Sequence, residues 1–119
     1  MAGPPPEVRR GDVWRVTFQE GGERPAVVVS RNELNRGSLF LVVPCTSSRV
    51  ERRKTLPNHA FLPKGEGGVS VDCVAQGHLV QPVPRDALLG RLGSIDPKAL
   101  GEVLAAIAWT TDLLEGLGK

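Results

Sequence analysis

The sequence predicts a mainly β (α+β) domain: a small, partly open barrel of about six short strands with one amphipathic helix at its C-terminal end. Three observations carry this. Short runs rich in Val, Leu, Phe and Thr recur up to Val83, separated by Gly, Pro and polar clusters. A single long stretch, after Asp96, spaces its apolar residues as a helix does. The 119 residues suit one domain with one core and need no disulfide or metal to hold it.

Residues 1–10, with Pro4, Pro5 and Pro6, read as a flexible extended tail, and 11–119 as a single domain. Asp12–Phe18 sets Trp14, Val16 and Phe18 against Val13, Arg15 and Thr17, the alternation of a half-buried strand. Gln19–Arg24 is a Gly-containing turn. Pro25–Ser30 is apolar and β-branched at its centre, which suits a strand covered on both faces. Arg31–Gly37 is a polar connector with room for one helical turn. Ser38–Thr46 (SLFLVVPCT) is the strongest strand signal; Pro44 lacks an N–H, so pairing should change or stop there. Ser47–Thr55 is a basic loop, and His59–Leu62 a short edge strand closed by Pro63. Gly65–Gly68 turns into a strand over Val69–Gln76, Leu79–Val83 adds another, and Arg85–Gly93 is Gly-punctuated and ambiguous. Asp96 is the expected N-cap of the helix, with Pro97 at its first position. Leu100, Val103, Leu104, Ile107, Thr111 and Leu114 form one stripe, Trp109 lies off it, and Gly116 and Gly118 end it.

A hydrophobic fraction of 40% and a charged fraction of 24% exclude a disordered or fibrous chain. No apolar run approaches the roughly 18–20 residues of a membrane helix, and MAGPPPEVRR lacks the apolar stretch of a secretory signal. The expectation is a soluble cytoplasmic domain without membrane contact. Cys45 and Cys73 are too few for a zinc site or a disulfide framework; they read as small buried residues lying near each other. Net charge is only +2, but its distribution is uneven. Residues 1–64 hold 11 Lys+Arg against 6 Asp+Glu, and residues 65–119 hold 4 against 7. The basic first half suits an anionic partner such as nucleic acid, although a solvated basic face has the same composition.

The chain contains no phosphate-binding G-x-x-x-x-G-K-[ST], no G-x-G-x-x-G, no H-x-x-x-H and no G-x-S-x-G. His59 and His78 are far apart in sequence, each beside apolar residues; either could act as a general base, but a structural or surface role is the commoner one for such histidines. No set of carboxylates resembles a metal cage, so any catalysis is expected to use no metal and no cofactor. What remains is Arg24 at the entrance of one strand and Thr46, followed by Ser47, at the exit of the next. If those strands are neighbours, the two side chains meet at one rim. Such a pair suits phosphoryl chemistry on RNA, where the substrate's own 2′-hydroxyl is the nucleophile. A guanidinium matches phosphate oxygens bidentately and a threonine hydroxyl donates one more hydrogen bond. On spacing alone, an ion-paired rim arginine and a turn-forming threonine account for the same residues.

Five blocks then carry a resemblance. RRGDVWRV at Arg9–Val16, RPAVVVS at Arg24–Ser30, VVPCTS at Val42–Ser47, GGVSVDCVAQ at Gly67–Gln76 and LGSIDPKAL before the helix occur in this order. Together they resemble the MazF/PemK/Kid family of toxin endoribonucleases. The resemblance implies an SH3-like barrel with a C-terminal helix, a homodimer, and the toxin role in a type II toxin–antitoxin pair. It also implies sequence-specific, metal-independent cleavage of single-stranded RNA such as mRNA, leaving 2′,3′-cyclic phosphate and 5′-hydroxyl ends and inhibiting translation. A MazE-like antitoxin would be the protein partner.

By the family pattern Arg24 would stabilise the phosphorane and Thr46 would hold the scissile phosphate. Glu20, with Glu23 next, falls nearest the family's acidic position in the first loop, which is shorter here. Ala75 stands where the family often carries an acid, beside Gln76, which could read a base edge. Ser47, Arg49, Arg52, Arg53 and Lys54 follow Thr46 and could track RNA phosphates. With no Tyr in the chain, stacking platforms are few, and Trp14 and Phe40 read as core. Two other readings stay open: a non-catalytic toxin acting on a protein target, like the gyrase poisons, and a barrel that only binds.

Overall fold

A computed structural model describes residues 6–113. Its strands are β1 (Asp12–Phe18), β2 (Gly22–Val28), β3 (Leu39–Thr46), β4 (His59–Leu62), β5 (Cys73–Gln76), β6 (Gln81–Pro84) and β7 (Leu88–Ser94). Two α-helices accompany them, the single turn α1 (Val50–Arg53) and the long α2 (Pro97–Thr111). All pairings are antiparallel and make one seven-stranded sheet in the order β4-β5-β3-β2-β1-β7, with β6 also on β3.

The central strands β2 and β3 alternate between two cores, which is why both read as continuous apolar runs. Val27, Val43 and Cys45 face a core completed by Leu62, Ala75 and Val103. Ala26, Val28, Phe40 and Val42 face the other, with Trp14, Val16 and Val83. α2 closes the first core with Ala99 and Val103, backed by Leu100, Leu104 and Ile107. It begins as its sequence dictates: the Asp96 carboxylate accepts from Ala99 N at 2.8 Å, and Pro97 fills the first position, where an N–H has no helical partner.

The sheet bends round without closing through a ladder. The 3-10 turn Glu66–Gly68 instead brings β7 against the β4–β5 connection. Gly68 sits at φ +82°, where a Cβ would collide with the Leu92 carbonyl oxygen. The Glu66 carboxylate accepts from Asp96 N at 3.2 Å and ties this turn to the start of α2.

Several expectations change. The strand proposed for Val69–Gln76 is confined to Cys73–Gln76. Its first half bends because glycines at positive φ precede it and the Asp72 carboxylate accepts from Lys64 N at 2.8 Å, which turns the chain back. The ambiguous Arg85–Gly93 is a 3-10 turn, Arg85–Ala87, followed by β7. The tail expected over residues 1–10 does not extend through residues 6–10. Val8 is buried at 4% exposure, Arg9 N donates to Asp12 Oδ2, and Arg85 Nη1 donates to the Pro6 carbonyl at 2.9 Å. Trp109, off the helix stripe, is 60% exposed. Residues 1–5, and the helix-end residues Leu114, Gly116 and Gly118, lie outside the described residues. No described helix is long and apolar enough to cross a membrane.

Candidate active site

β2 and β3 are neighbours, and their ladder ends at Ala26 opposite Pro44. Pro44 has no N–H to continue it. From Cys45 onward β3 pairs with β5, Cys45 opposite Ala75 and Thr46 opposite Val74. Following the β2–β3 register two residues past the last pair brings Arg24 level with Thr46. The opening left there is a cavity of about 340 Å³ lined by Glu23, Arg24, Thr46, Ser47 and Cys73, among others. A second cavity, of about 590 Å³, has Phe18, Glu20, Arg24, Pro44 and Gln81 in its walls. Arg24 is common to both, so its guanidinium borders two adjoining compartments.

The hydrogen bonding leaves both key side chains available. Arg24 Nε donates to the Gly21 carbonyl at 3.2 Å, and among the described residues no carboxylate lies within ion-pair distance of it. That bond holds the guanidinium without neutralising it. Thr46 Oγ1 accepts from Ser48 N at 3.2 Å, which fixes the oxygen and leaves the hydroxyl proton to donate elsewhere. Two carboxylates share a compartment with Arg24. Glu20 belongs to the larger one; Glu23 belongs to the smaller and is paired with Arg15 at 2.6 Å.

The basic loop divides. Arg53 Nη1 donates to the Ser48 carbonyl at 3.3 Å, and Lys54 pairs with Glu51 at 3.0 Å while lying over the Phe61 ring. These two cations brace the loop. Arg49 and Arg52 are exposed and unpaired among the described residues. Arg49 adopts a left-handed conformation at φ 54° where the chain turns into α1.

Gln76 is not brought to the site. It is 6% exposed, lies opposite His59 in the β4–β5 ladder, and lines neither cavity. The two histidines, distant in sequence, are joined through Asn58: His59 Nδ1 bonds Asn58 Oδ1 at 3.0 Å, and Asn58 Nδ2 bonds His78 Nδ1 at 2.9 Å. Burial, then the nearby charges of His78 and Arg53, lower the His59 pKa. Neither histidine lines a cavity with Arg24. Cys45 and Cys73 are both buried and free. A hydrogen bond with Cys73, then burial, push the Cys45 thiol well above its usual range. That is a packed thiol, not an activated one. Among the described residues no three His, Cys, Asp or Glu side chains cluster as metal ligands do.

Sequence reasoning did not single out Gln81 or assign Phe18 to a site, though both wall the larger cavity. Phe18 ends a strand whose alternation marks it as core-facing, and it is only half-buried because β1 ends there. Nothing in QPVP distinguishes Gln81 from any polar residue at a strand edge.

A family model described as the PemK-like, MazF-like toxin of type II toxin–antitoxin systems matches residues 9–110. A probable endoribonuclease, MazF2, of Mycobacterium tuberculosis is 29% identical over 105 residues, covering 87% of this chain and 98% of that protein. The endoribonuclease MazF of Staphylococcus saprophyticus is 26% identical over 106 residues, covering 84% and 88%. The fold matches, with a TM-score of 0.75 at 22% identity, that of a mycobacterial endoribonuclease solved with its cognate antitoxin, covering 89% of this chain and 96% of that one. A match through β1, both cavity-forming strands and nearly all of α2 is decisive: the chain belongs to the PemK-like, MazF-like toxin family of type II toxin–antitoxin systems.

Proposed function

We propose that this chain is the endoribonuclease toxin of such a system, cytoplasmic, acting on single-stranded RNA as a homodimer and silenced by a cognate MazE-like antitoxin. The observation that carries the reading is the pairing of an unneutralised Arg24 with the Thr46 hydroxyl at the walls of one open cavity. The relatives named endoribonucleases support the activity, and the relative solved with its antitoxin supports the partner.

In this mechanism the ribose 2′-hydroxyl attacks the adjacent phosphorus, and the P–O bond to the 5′-oxygen breaks. The products are a 2′,3′-cyclic phosphate and a 5′-hydroxyl. Negative charge builds on the equatorial oxygens of the phosphorane, and the Arg24 fork is fixed where it can offer N–H donors to them. Thr46 donates its hydroxyl proton to a phosphate oxygen and so holds the phosphorus in line. Glu20 and Glu23 are the carboxylates placed beside Arg24 for proton transfer. Ser47, Arg49 and Arg52 extend the cationic, hydrogen-bonding track from Thr46 along the strand leaving the site.

The test is incubation with a long single-stranded RNA in EDTA, with cut ends mapped for wild type, Arg24→Ala and Thr46→Ala. The expected result is discrete cuts with cyclic-phosphate ends. Arg24→Ala should reduce them by roughly 10²–10³-fold, and Thr46→Ala by roughly 10–100-fold. An uncut RNA in every wild-type reaction would overturn the reading.

A further inference from the structure

β5 and β6 run along the same edge of β3, but their pairings with it are offset by three residues. Cys45 lies opposite Ala75, whereas Val42 lies opposite Gln81. The 3-10 turn Gly77–Leu79 takes up the difference. α2 rests directly on that turn: a Cβ at Gly77 would come within 2.8 Å of the Ala106 backbone carbon. The turn is therefore clamped between helix and sheet, and it decides which residue begins β6.

That residue is Gln81. Its Nε2 donates to the carbonyl of Leu79, within the same turn, at 3.1 Å. The bond orients the carboxamide and settles which end is oxygen, leaving Oε1 and the second N–H beside the larger cavity. Its other walls are mixed: Phe18, Leu79, Pro82 and Val83 give apolar surface, and Thr17, Gln19, Glu20 and Arg24 give polar surface. An anchored donor–acceptor pair in a cavity that also holds an aromatic side chain suits the recognition of an unstacked nucleobase, which is read by its edge and held by stacking. Arg24 is shared with the cavity that holds Thr46, so a phosphate bound there would present a neighbouring nucleotide to Gln81.

We propose that Gln81 is a specificity-determining residue: it hydrogen-bonds the edge of one base flanking the scissile phosphate, in the larger cavity, with Phe18 as the stacking surface. The inference rests on the ribonuclease reading and assigns part of its sequence preference to the turn Gly77–Leu79.

The experiment is cleavage of a single-stranded RNA pool randomised around the cut, with sequenced ends, for wild type, Gln81→Ala and Gln81→Glu. Gln81→Ala should weaken preference at one flanking position by roughly tenfold or more while other positions keep theirs. Gln81→Glu retains acceptors and loses the N–H, so the same position should shift toward bases presenting an amino group. Identical preferences in both variants would overturn the proposal, as would loss of cutting at all sequences by variants that melt like wild type. A wild-type protein that cuts nothing would instead overturn the ribonuclease reading, and this inference with it.

Discussion

The β2–β3 pair has two ends built from the same strands, and they are finished in opposite ways. At one end Ser30 and Asn35 are buried and bond only to each other and to backbone. The Ser30 hydroxyl meets Asn35 Oδ1, Asn35 Nδ2 donates to the Ser30 carbonyl at 2.9 Å, and Leu41 N donates to Ser30 Oγ at 3.1 Å. At the other end Arg24 has one carbonyl contact and no carboxylate, and the Thr46 hydroxyl proton has no assigned acceptor. A polar group tied at every bond stabilises a fold. One fixed in place with donors to spare is free to bind a ligand, as the proposed function requires. On the proposed function, the difference is that between a polar site that holds the fold and one that receives a ligand.

Substitutions at the two ends should therefore fail in opposite ways. Arg24→Ala should lose roughly 10²–10³-fold in cleavage and lower the unfolding free energy by only about 0.5–1.5 kcal/mol, the worth of one hydrogen bond from a half-buried side chain to the Gly21 carbonyl. Parallel activity assays and denaturant titrations check both halves. Asn35→Ala should do the reverse. Stranding the buried Ser30 groups should cost about 2–3 kcal/mol, while cleavage per folded molecule stays at the wild-type level. An Asn35→Ala protein of normal stability but poor activity would erase the distinction.

The strands that make this comparison were legible in the sequence because their constraints are local. Trp14, Val16 and Phe18 alternate, PAVVVS is apolar on both faces, and Pro44 marks where one ladder must stop. Arg24 and Thr46 could be paired once those strands were taken as neighbours. β7 was not legible in the same way. Its pairing with β1 shifts register at two points, and LLGRLGS shows no alternation because the strand twists past glycines. Gln76 and Gln81 illustrate the same limit at the site. Both are polar residues in apolar surroundings. Only the three-residue turn between them, clamped by α2, decides that the first is buried and the second lines a cavity.

The smallest expected effect concerns the edge strand β4. Burial lowers the His59 pKa in the fold, whereas in the unfolded chain it sits near ~6.5. Below that value the unfolded chain binds a proton that the folded protein resists. Stability is therefore full above about pH 6.5 and falls as pH drops toward the lowered folded value. Melting curves at about pH 7.5 and pH 5.5 should show a larger drop for wild type than for His59→Gln. RNA cleavage by the variant at neutral pH should be unchanged, because His59 shares no cavity with Arg24.

The central claim is that the open end of β2 and β3 leaves the nucleophile to the RNA. It is tested most directly by a substrate carrying a single 2′-deoxyribose immediately 5′ of a mapped scissile phosphate. The account predicts that cutting at that phosphate disappears while neighbouring natural sites in the same strand are still cut to cyclic-phosphate ends. Continued cutting at the deoxy position would show that water or a protein group attacks the phosphorus, and would contradict the roles given to Arg24 and Thr46.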